Sequence, residues 1–255
     1  MDLWQKLALA ERVAREAGAR LRARPDFRVE QKAVHDYVTD MDRQTEQLIR
    51  ERILAACPED DFFGEEFGET SGKRGQWVVD PIDGTTNYIH DLPSYAVSIA
   101  YRMDGELVLG CVYCPAQDEM FLAHKGGGAT RNGQSIRVSD TKDPQAALVA
   151  VSFSHRHASD RARMMALIGA MHELNDMRRS GSAAYDLCMV ACGRIDGYVE
   201  LRLNLYDIGA GIVILREAGG TVSGWPGEAD CAQTGNVLAG NGKINGYLAG
   251  KIAGL

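Results

Sequence analysis

Residues 77–88 read WVVDPIDGTTNY, in which a short apolar run passes directly into acidic and hydroxyl-bearing positions. The run WVV has the composition of a buried strand. Asp80 and Asp83 stand at its end, split by Pro81, so a tight turn there brings both carboxylates to one point. Hard cations such as Mg²⁺ take oxygen ligands, and two carboxylates with a backbone carbonyl are a typical set. The stretch predicts a strand that ends in a magnesium site.

The segment GTTN at residues 84–87 continues this motif. Backbone N–H groups and hydroxyls that open a helical turn suit phosphate oxygens. An Asx-type turn with capping acids has the same signature. The motif by itself leaves that purely structural alternative open.

Two further acidic segments favour the metal site. Glu65 and Glu66 follow the apolar run DFF at residues 61–63, and Asp207 precedes the helical run IGAGIVILREAGG at residues 208–220. Asp207 is expected to cap that helix, because Asp is a preferred N-cap residue. Acids held together at several strand ends form a cluster that needs cations to neutralise it. The sequence therefore predicts one cation-dependent site built from three segments.

The overall charge argues against nucleic acid as a main partner. The chain has 255 residues, of which 45% are apolar and 25% charged, and its formal net charge is -7. Arginines gather over residues 12–28, but acidic residues interrupt them, which is typical of a solvated helix face. We expect a globular protein with a large core and no nucleic-acid partner.

The N-terminal segment MDLWQKLALAERVAREAG has an acid at position 2 and helical apolar spacing, unlike a signal peptide. No window approaches the ~18 apolar residues of a membrane span. These features predict a cytoplasmic protein without membrane attachment.

The six cysteines lie in or beside apolar runs, which predicts reduced, buried thiols. Cys111 and Cys114 form a CxxC that lacks the second ligand pair of a zinc site.

The spacing of apolar residues divides the chain into two parts with different patterns of secondary structure. Helices are predicted from Leu3 to Pro25 and over residues 40–56, followed by short strands with hairpin signals at residues 104–105 and 132–133. From residue 147 onward strands alternate with helices, the helices being expected near 159–172, 183–192 and 207–218. This order predicts a layered α/β protein, with halves of about 1–143 and 144–255.

Several segments together resemble the signatures of the inositol monophosphatase family. They are GEE at 64–66, WVVDPIDGTTNY at 77–88 and YDIGAGIVILREAGG at 206–220, with further matches at Lys32, DYVTDMD at 36–42, GSAAYDL at 181–187 and YVELRLNLYD at 198–207. The resemblance covers nearly the whole chain in the family's order. It implies a single domain over residues 1–255 with the αβαβα sandwich that this family shares with fructose-1,6-bisphosphatase.

The resemblance also implies which residues hold the metals, as two or three Mg²⁺ ions. A first ion would be held by Glu65, Asp80 and the Ile82 carbonyl. A second ion would use Asp80, Asp83 and Asp207. A third, weaker ion is expected near Glu65, and Asp42 matches an acid that supports this side of the site.

The same resemblance implies which residues are catalytic and which bind the phosphate. Glu65 and Thr85 would orient the attacking water and help to take its proton, supported by Asp42, and Lys32 would add positive charge. The phosphate group would lie against Asp83, Gly84, Thr85 and Asp207. Inhibition by lithium is expected, as in the family generally.

The alcohol part of the substrate is expected to meet the second half of the chain. The resemblance assigns it to Gly181, Ser182 and Ala183 at a helix start, with Ser182 also as N-cap, and to Glu200, which would accept hydrogen bonds from hydroxyls. Asn204 and Tyr206 depart from the family's commonest His and Trp, which leaves the substrate open. His155 and His157 are interpreted as solvated surface.

These features predict a magnesium-dependent phosphatase acting on a small phosphorylated polyol, with myo-inositol 1-phosphate favoured. Histidinol phosphate, fructose 1,6-bisphosphate and nucleotide 3'-phosphates are alternatives on the same fold. A bisphosphate would need a basic pocket, for which Arg202 is the nearby candidate. An alternative of another class is a regulatory binding partner of the transcription machinery. A homodimer is expected from the resemblance alone.

Overall fold

The computed structural model describes residues 1–33, 36–70, 75–153 and 161–255, without the side chains at positions 32, 33, 36 and 164. Its helices are α1 Leu3–Ala23, α2 Asp40–Ala56, α3 Thr85–Ile89, α4 Arg161–Ala170, α5 Ala183–Ala191, α6 Leu205–Glu217, α7 Cys231–Thr234 and α8 Asn245–Ile252. Its strands are β1 Val29–Ala33, β2 Asp36–Thr39, β3 Asp61–Gly64, β4 Gly68–Glu69, β5 Gln76–Asp83, β6 Ala96–Met103, β7 Glu106–Cys114, β8 Glu119–His124, β9 Ala129–Arg131, β10 Gln134–Ser135, β11 Leu148–Val151, β12 Asp176–Arg178, β13 Gly197–Glu200, β14 Thr221–Ser223 and β15 Val237–Gly240.

Two large sheets organise these strands. The first has the order β10-β9-β8-β7-β6-β5-β3-β4 and is antiparallel except for the β3–β5 pair. The second has the order β12-β11-β13-β15-β14, with β11 parallel to both of its neighbours. Strands β1 and β2 form a separate antiparallel hairpin. The hairpins predicted at residues 104–105 and 132–133 join β6 to β7 and β9 to β10.

Helices alternate with the two sheets. Helices α1 and α2 pack on one face of the eight-stranded sheet, and α5 and α6 lie between that sheet and the five-stranded one. Helices α4 and α8 cover the outer face of the five-stranded sheet. The layered α/β fold and the αβαβα sandwich predicted from the sequence are confirmed.

Strand β5 lies inside the eight-stranded sheet, and all eight of its residues are buried. Trp77 and Val79 pack with α1 and α2, whereas Val78 packs with α5 and α6. This follows from the strand's alternation, which sends successive side chains to opposite faces. A strand covered on both faces is mostly apolar, which explains the run WVV. The acids Asp80 and Asp83 follow this run at the end of β5.

The prediction that Asp207 caps helix α6 was wrong. The helix begins at Leu205 with Asn204 as its N-cap, so Asp207 lies within the first turn. Its carboxylate accepts a hydrogen bond from the Asn204 backbone N–H at 2.6 Å, as the third residue of a capping box does. The acid still lies at the positive end of the helix dipole, where a negative charge is favoured.

The six cysteines carry free thiols, and five of them are buried. Cys111 and Cys114 belong to different core clusters on opposite sides of β7, so they do not form a shared zinc site. The predicted burial is confirmed for these five thiols, whereas Cys192 is partly exposed. Separately, the described part of the chain contains no helix that is both long and apolar enough to cross a membrane.

Helix α6 approaches β7 very closely at Gly110, where an added Cβ would lie 2.3 Å from the Ala210 carbonyl oxygen. We therefore expect Gly110→Ala to push α6 off the sheet and to lower the free energy of unfolding by about 1–3 kcal/mol, the usual cost of overpacking. Denaturant titration measures this loss.

Gly250→Ala is the matched control, because Gly250 lies in α8 and a Cβ there meets nothing within 4 Å. The control is expected to be neutral or stabilising, since Ala favours a helix over Gly by about 0.5–1 kcal/mol. Equal unfolding free energies for the two variants would contradict the close packing of α6.

Candidate active site

Three carboxylates converge where strand β5 meets helix α6. Ligand oxygens of Asp80, Asp83 and Asp207 all lie within 4.8 Å of one another. Asp80 is 2% exposed and Asp83 is 8% exposed. The acids that the sequence placed in separate segments therefore form one cluster.

An irregularity in β5 allows its two acids to converge. Residues three apart on a regular strand point to opposite faces. The pairing of β5 with β6 shifts register between Asp80 and Asp83, the stretch that contains Pro81. The Asp80 carboxylate accepts a hydrogen bond from the Ile82 N–H at 2.9 Å, which holds this turn. Such bulges re-aim side chains at the ends of strands.

Burial and mutual repulsion make the cluster electrostatically unfavourable without cations. Burial raises the pKa of Asp80 well above its ordinary value, and the charges of Glu65, Asp83 and Asp207 raise it further. Burial also raises the pKa of Asp83 to about 6. The donor set consists of oxygen atoms alone, which fits a hard cation such as Mg²⁺.

The Asp83 carboxylate is held from the second half of the chain. Its Oδ2 accepts hydrogen bonds from the Ser182 hydroxyl and the Ala184 N–H, both at 2.6 Å. Ser182 also caps α5, accepting a hydrogen bond from the Tyr185 N–H, and is 2% exposed. Its hydroxyl therefore links α5 to Asp83. Gly181 and Ala183, on either side of Ser182, line the cavity.

Glu65 lines the same cavity, and its turn is anchored by an acid that the sequence analysis missed. Both carboxylate oxygens of Glu46 accept backbone hydrogen bonds, from the Glu66 N–H at 2.8 Å and the Phe67 N–H at 3.0 Å. Glu46 is fully buried in α2. An acid on the inward face of this helix, between Asp42 and Ile49, was the available signal.

Thr85 and Asp42 meet beside the carboxylates. The Thr85 hydroxyl lies 3.0 Å from Asp42 Oδ1 and 3.0 Å from the Ile82 carbonyl oxygen. The other carboxylate oxygen of Asp42 accepts hydrogen bonds from the Thr39 N–H and hydroxyl. Burial raises the pKa of Asp42, although these hydrogen bonds oppose the shift. The predicted pair is thus brought together by α2 and α3.

Glu200 lines the cavity from the end of β13 and is 8% exposed. The Tyr198 hydroxyl donates a hydrogen bond to it. Burial raises the pKa of Glu200 to about 7, while hydrogen bonds from Tyr198 and Ser152 favour its ionised form. Asp186 lies nearby as a second buried acid that interacts with Glu200, and burial raises its pKa to about 8.

The cavity encloses about 210 Å³. Besides the predicted residues, its lining includes Tyr37, Ser152, Phe153, Arg179, Arg202, Leu203, Asn204 and Tyr206. The two positions that depart from the family pattern, Asn204 and Tyr206, thus border the pocket as predicted. Arg179 was missed, so Arg202 is not the only arginine at this site. The Lys32 side chain, His155 and His157 lie outside the described residues.

The chain is similar over nearly its whole length to proteins of known family. The model of the inositol monophosphatase family matches residues 2–254. A Vibrio cholerae protein named Nus factor SuhB is 41% identical over 240 residues, covering 91% of this chain and 90% of that protein. An inositol-1-monophosphatase of Mesorhizobium japonicum is 39% identical over 226 residues, covering 88% and 85%.

Solved structures agree with these sequence relatives. The extragenic suppressor protein suhB from Bartonella henselae superimposes with a TM-score of 0.94 at 34% identity, covering 98% of this chain and 99% of that one. The inositol monophosphatase from Anabaena gives a TM-score of 0.88 at 34% identity, covering 99% and 97%.

Asp186 provides a test of the electrostatics around the site. Burial raises its pKa from the ordinary 3.8 to about 8, so the folded protein binds this proton more tightly than the unfolded chain. The resulting stabilisation is present at low pH and is lost as the pH rises from about 4 through 8. Asp186→Asn stays neutral, so we expect its melting temperature relative to wild type to rise between pH 5 and pH 9.

Thermal unfolding in the presence of a chelator measures this difference without metal binding. Asp176→Asn is the control, because Asp176 is exposed and a hydrogen bond from Arg178 lowers its pKa. The control should show no such gain. A pH-independent difference between Asp186→Asn and wild type would show that Asp186 is ionised in the folded protein.

Proposed function

The chain belongs to the inositol monophosphatase family, and on that premise we propose that it hydrolyses a small phosphate monoester with magnesium as cofactor. One observation carries this proposal. The buried carboxylates Asp80, Asp83 and Asp207 converge within 4.8 Å of one another, an arrangement that cations are needed to neutralise. The cavity beside them is of a size for a small metabolite.

The proposed ligand sets follow the oxygen atoms at the site. Glu65, Asp80 and the Ile82 carbonyl would hold one Mg²⁺, and Asp80, Asp83 and Asp207 a second, with a weaker third ion near Glu65. Bound magnesium supplies positive charge to the phosphate and leaving-group oxygens and increases the acidity of water. Lithium is expected to compete for one of these sites.

Thr85 and Asp42 are proposed to accept the proton of the attacking water, Thr85 first and Asp42 after it. The Thr85 hydroxyl has one proton and two acceptors at 3.0 Å, Asp42 and the Ile82 carbonyl. If the Thr85 hydroxyl proton is transferred to Asp42, the Thr85 oxygen can in turn accept a proton from water. The Ile82 carbonyl would then be available to a cation. Because burial raises the pKa of Asp42, this carboxylate takes up a proton more readily than an exposed aspartate. Glu65 would orient the same water.

The substrate contacts are proposed on both sides of these acids. Gly84 and Thr85 line the cavity and would direct backbone N–H groups at the phosphate, with Lys32 adding positive charge. Glu200 would accept hydrogen bonds from substrate hydroxyls, and the turn of Gly181, Ser182 and Ala183 would present N–H groups and a hydroxyl to the substrate oxygens. This favours myo-inositol 1-phosphate as substrate, and the name of the Mesorhizobium relative supports it. Histidinol phosphate, fructose 1,6-bisphosphate and nucleotide 3'-phosphates are the alternatives.

A second candidate function comes from the relatives named Nus factor, which are 37% to 41% identical to this chain. A role in transcription would be performed by binding and would not need the metal carboxylates. Complementation of a strain that lacks the protein distinguishes the two roles. If the gene encoding Asp83→Asn restores growth, the biological role is binding. If it does not, the biological role is phosphate release. For either role, a cytoplasmic homodimer is the proposed working form.

We expect Asp83→Asn to abolish magnesium-dependent phosphate release, with a loss of about 100-fold or more in kcat/KM, because a neutral amide replaces a charged ligand of the second ion. The fold should be retained, since the amide oxygen can still accept from Ser182 and Ala184 and the change removes repulsion. Phosphate release from the four candidate substrates, with and without magnesium and lithium, measures the effect.

Asp104→Asn is the control, because this exposed hairpin residue has φ 52°, which Asn also tolerates. Its activity should equal that of wild type. An active Asp83→Asn enzyme would contradict the metal assignment, and a wild type that releases no phosphate from any substrate would contradict the proposed function.

We expect Thr85→Val to lower kcat by about 10²–10⁴-fold with little change in KM, because valine keeps the shape of threonine and removes the hydroxyl that relays the proton. Thr85→Ser keeps that hydroxyl and should retain most of the activity. Steady-state kinetics at saturating magnesium separates kcat from KM. A Thr85→Ser enzyme as slow as Thr85→Val would mean that the methyl group, and not the hydroxyl, matters.

A further inference from the structure

The turn that carries Glu65 is held by a buried acid from another element of the fold. Strand β3 ends at Gly64, and Glu65 follows it directly at the cavity. Glu46, on helix α2, accepts a hydrogen bond from the Glu66 N–H at 2.8 Å on one carboxylate oxygen and from the Phe67 N–H at 3.0 Å on the other. Both donors belong to the residues that come directly after Glu65. The carboxylate therefore fixes the backbone on the C-terminal side of Glu65.

Burial of this acid is unfavourable unless its hydrogen bonds compensate. Glu46 is 0% exposed, and a buried carboxylate has lost its hydration. The next inward positions of α2, Ile49 and Ile53, are fully buried apolar side chains that have no such penalty. A charged acceptor binds N–H groups more strongly than a neutral one does. The acid at position 46 is thus explained by the turn that it holds and not by core packing.

Gly64 shows how closely the carboxylate fits against this turn. A Cβ at Gly64 would lie 1.9 Å from Glu46 Oε1 and 2.4 Å from its carboxyl carbon. Gly64 lies in a strand without a positive φ, so the neighbouring carboxylate, and not the backbone conformation, excludes a side chain there. The carboxylate abuts the residue before Glu65 and accepts hydrogen bonds from the two residues after it. The backbone of Glu65 is therefore held on both sides by one buried group.

We propose that Glu46 is a positioning residue that sets the affinity of the protein for the Mg²⁺ ion held by Glu65. This inference rests on the proposed function, because Glu65 is a magnesium ligand in that proposal. Glu46 is not among the described residues that line the cavity, so it acts through the backbone on either side of Glu65. Loss of a group that orients a metal ligand in this way typically weakens metal binding about ten- to hundredfold.

Two substitutions disturb this contact in different ways. Glu46→Gln keeps the shape of the side chain, removes its charge and places an NH₂ group, which cannot accept, against one of the two N–H donors. Gly64→Ala keeps the charge, and its methyl group displaces the carboxylate at the end of the flexible Glu46 side chain. We expect each variant to bind the Glu65 ion about ten- to hundredfold more weakly. The ion proposed at Asp83 and Asp207 should keep its affinity.

Calorimetric titration of the metal-free protein with Mg²⁺, without substrate, measures these affinities directly. The Mg²⁺ concentration for half-maximal phosphate release should rise in parallel, and kcat at saturating Mg²⁺ should return towards the wild-type value. Glu51→Gln is the matched control for charge, because Glu51 is an exposed acid of the same helix. Gly250→Ala is the control for an added methyl group, since nothing lies within 4 Å of it. Both controls should titrate like wild type.

Weaker binding of one ion in both variants, with kcat recovered by excess Mg²⁺, supports the inference. Weaker binding in one of two folded variants overturns it, because loss in Glu46→Gln alone is an effect of charge and loss in Gly64→Ala alone does not involve Glu46. Equal weakening of every ion, or of none, also overturns it. Matching melting temperatures in the presence of a chelator show that a variant is folded. If Glu46→Gln does not fold, Gly64→Ala, which retains the buried acid, decides the question.

The titrations also separate this inference from the proposed function. If wild type binds Mg²⁺ but releases phosphate from none of the four candidate substrates, the proposed hydrolysis falls and the role of Glu46 is still decided by binding. If wild type is an active phosphatase and both variants bind Mg²⁺ as it does, the role of Glu46 is overturned and the phosphatase stands. If wild type binds no Mg²⁺, both fall.

Discussion

Repulsion among buried carboxylates is the constraint around which this chain is built. Asp80, Asp83 and Asp207 bring oxygens within 4.8 Å of one another, and like charges this close in a buried site raise each other's pKa. The fold has to supply the energy that holds them there. It does so with the register shift in β5, which aligns Asp80 with Asp83, and with the close approach of α6 to β7 at Gly110, which fixes the helix that carries Asp207.

The layer formed by α5 and α6 joins the two sheets at this point. Ser182 and Ala184, at the start of α5, donate hydrogen bonds to Asp83 of the first sheet. Ser98 of β6 donates to the Tyr206 carbonyl at the start of α6. The two helices also pack against the five-stranded sheet, whose strand β13 ends in Glu200. The carboxylate cluster and the Glu200 side of the cavity are therefore positioned by the same pair of helices.

Within the cavity, neighbouring residues have different electrostatic surroundings. In the described part of the chain, Asp80 and Asp83 accept hydrogen bonds from backbone N–H groups and from the Ser182 hydroxyl. Glu200 is surrounded by hydroxyl donors, and Arg179 is stacked on Phe153 without an acidic partner in the described part of the chain. One small cavity therefore combines a buried carboxylate cluster with a second acid, Glu200, and a cationic side chain, Arg179.

The amino-acid sequence determined helices α1, α2 and α4 to α6, most strands, the order of layers and the acids of the cluster, whereas α7 and α8 were not predicted. These features are local: apolar periodicity follows the 3.6-residue and 2-residue repeats, and acids after an apolar run stand at strand ends. Tertiary structure alone decided that the Ser182 hydroxyl faces Asp83 from 99 residues away and that Arg179 reaches the cavity. It also decided that Glu46 anchors the turn after Glu65. Contacts between distant segments depend on how the layers pack, and no spacing along the chain records that packing.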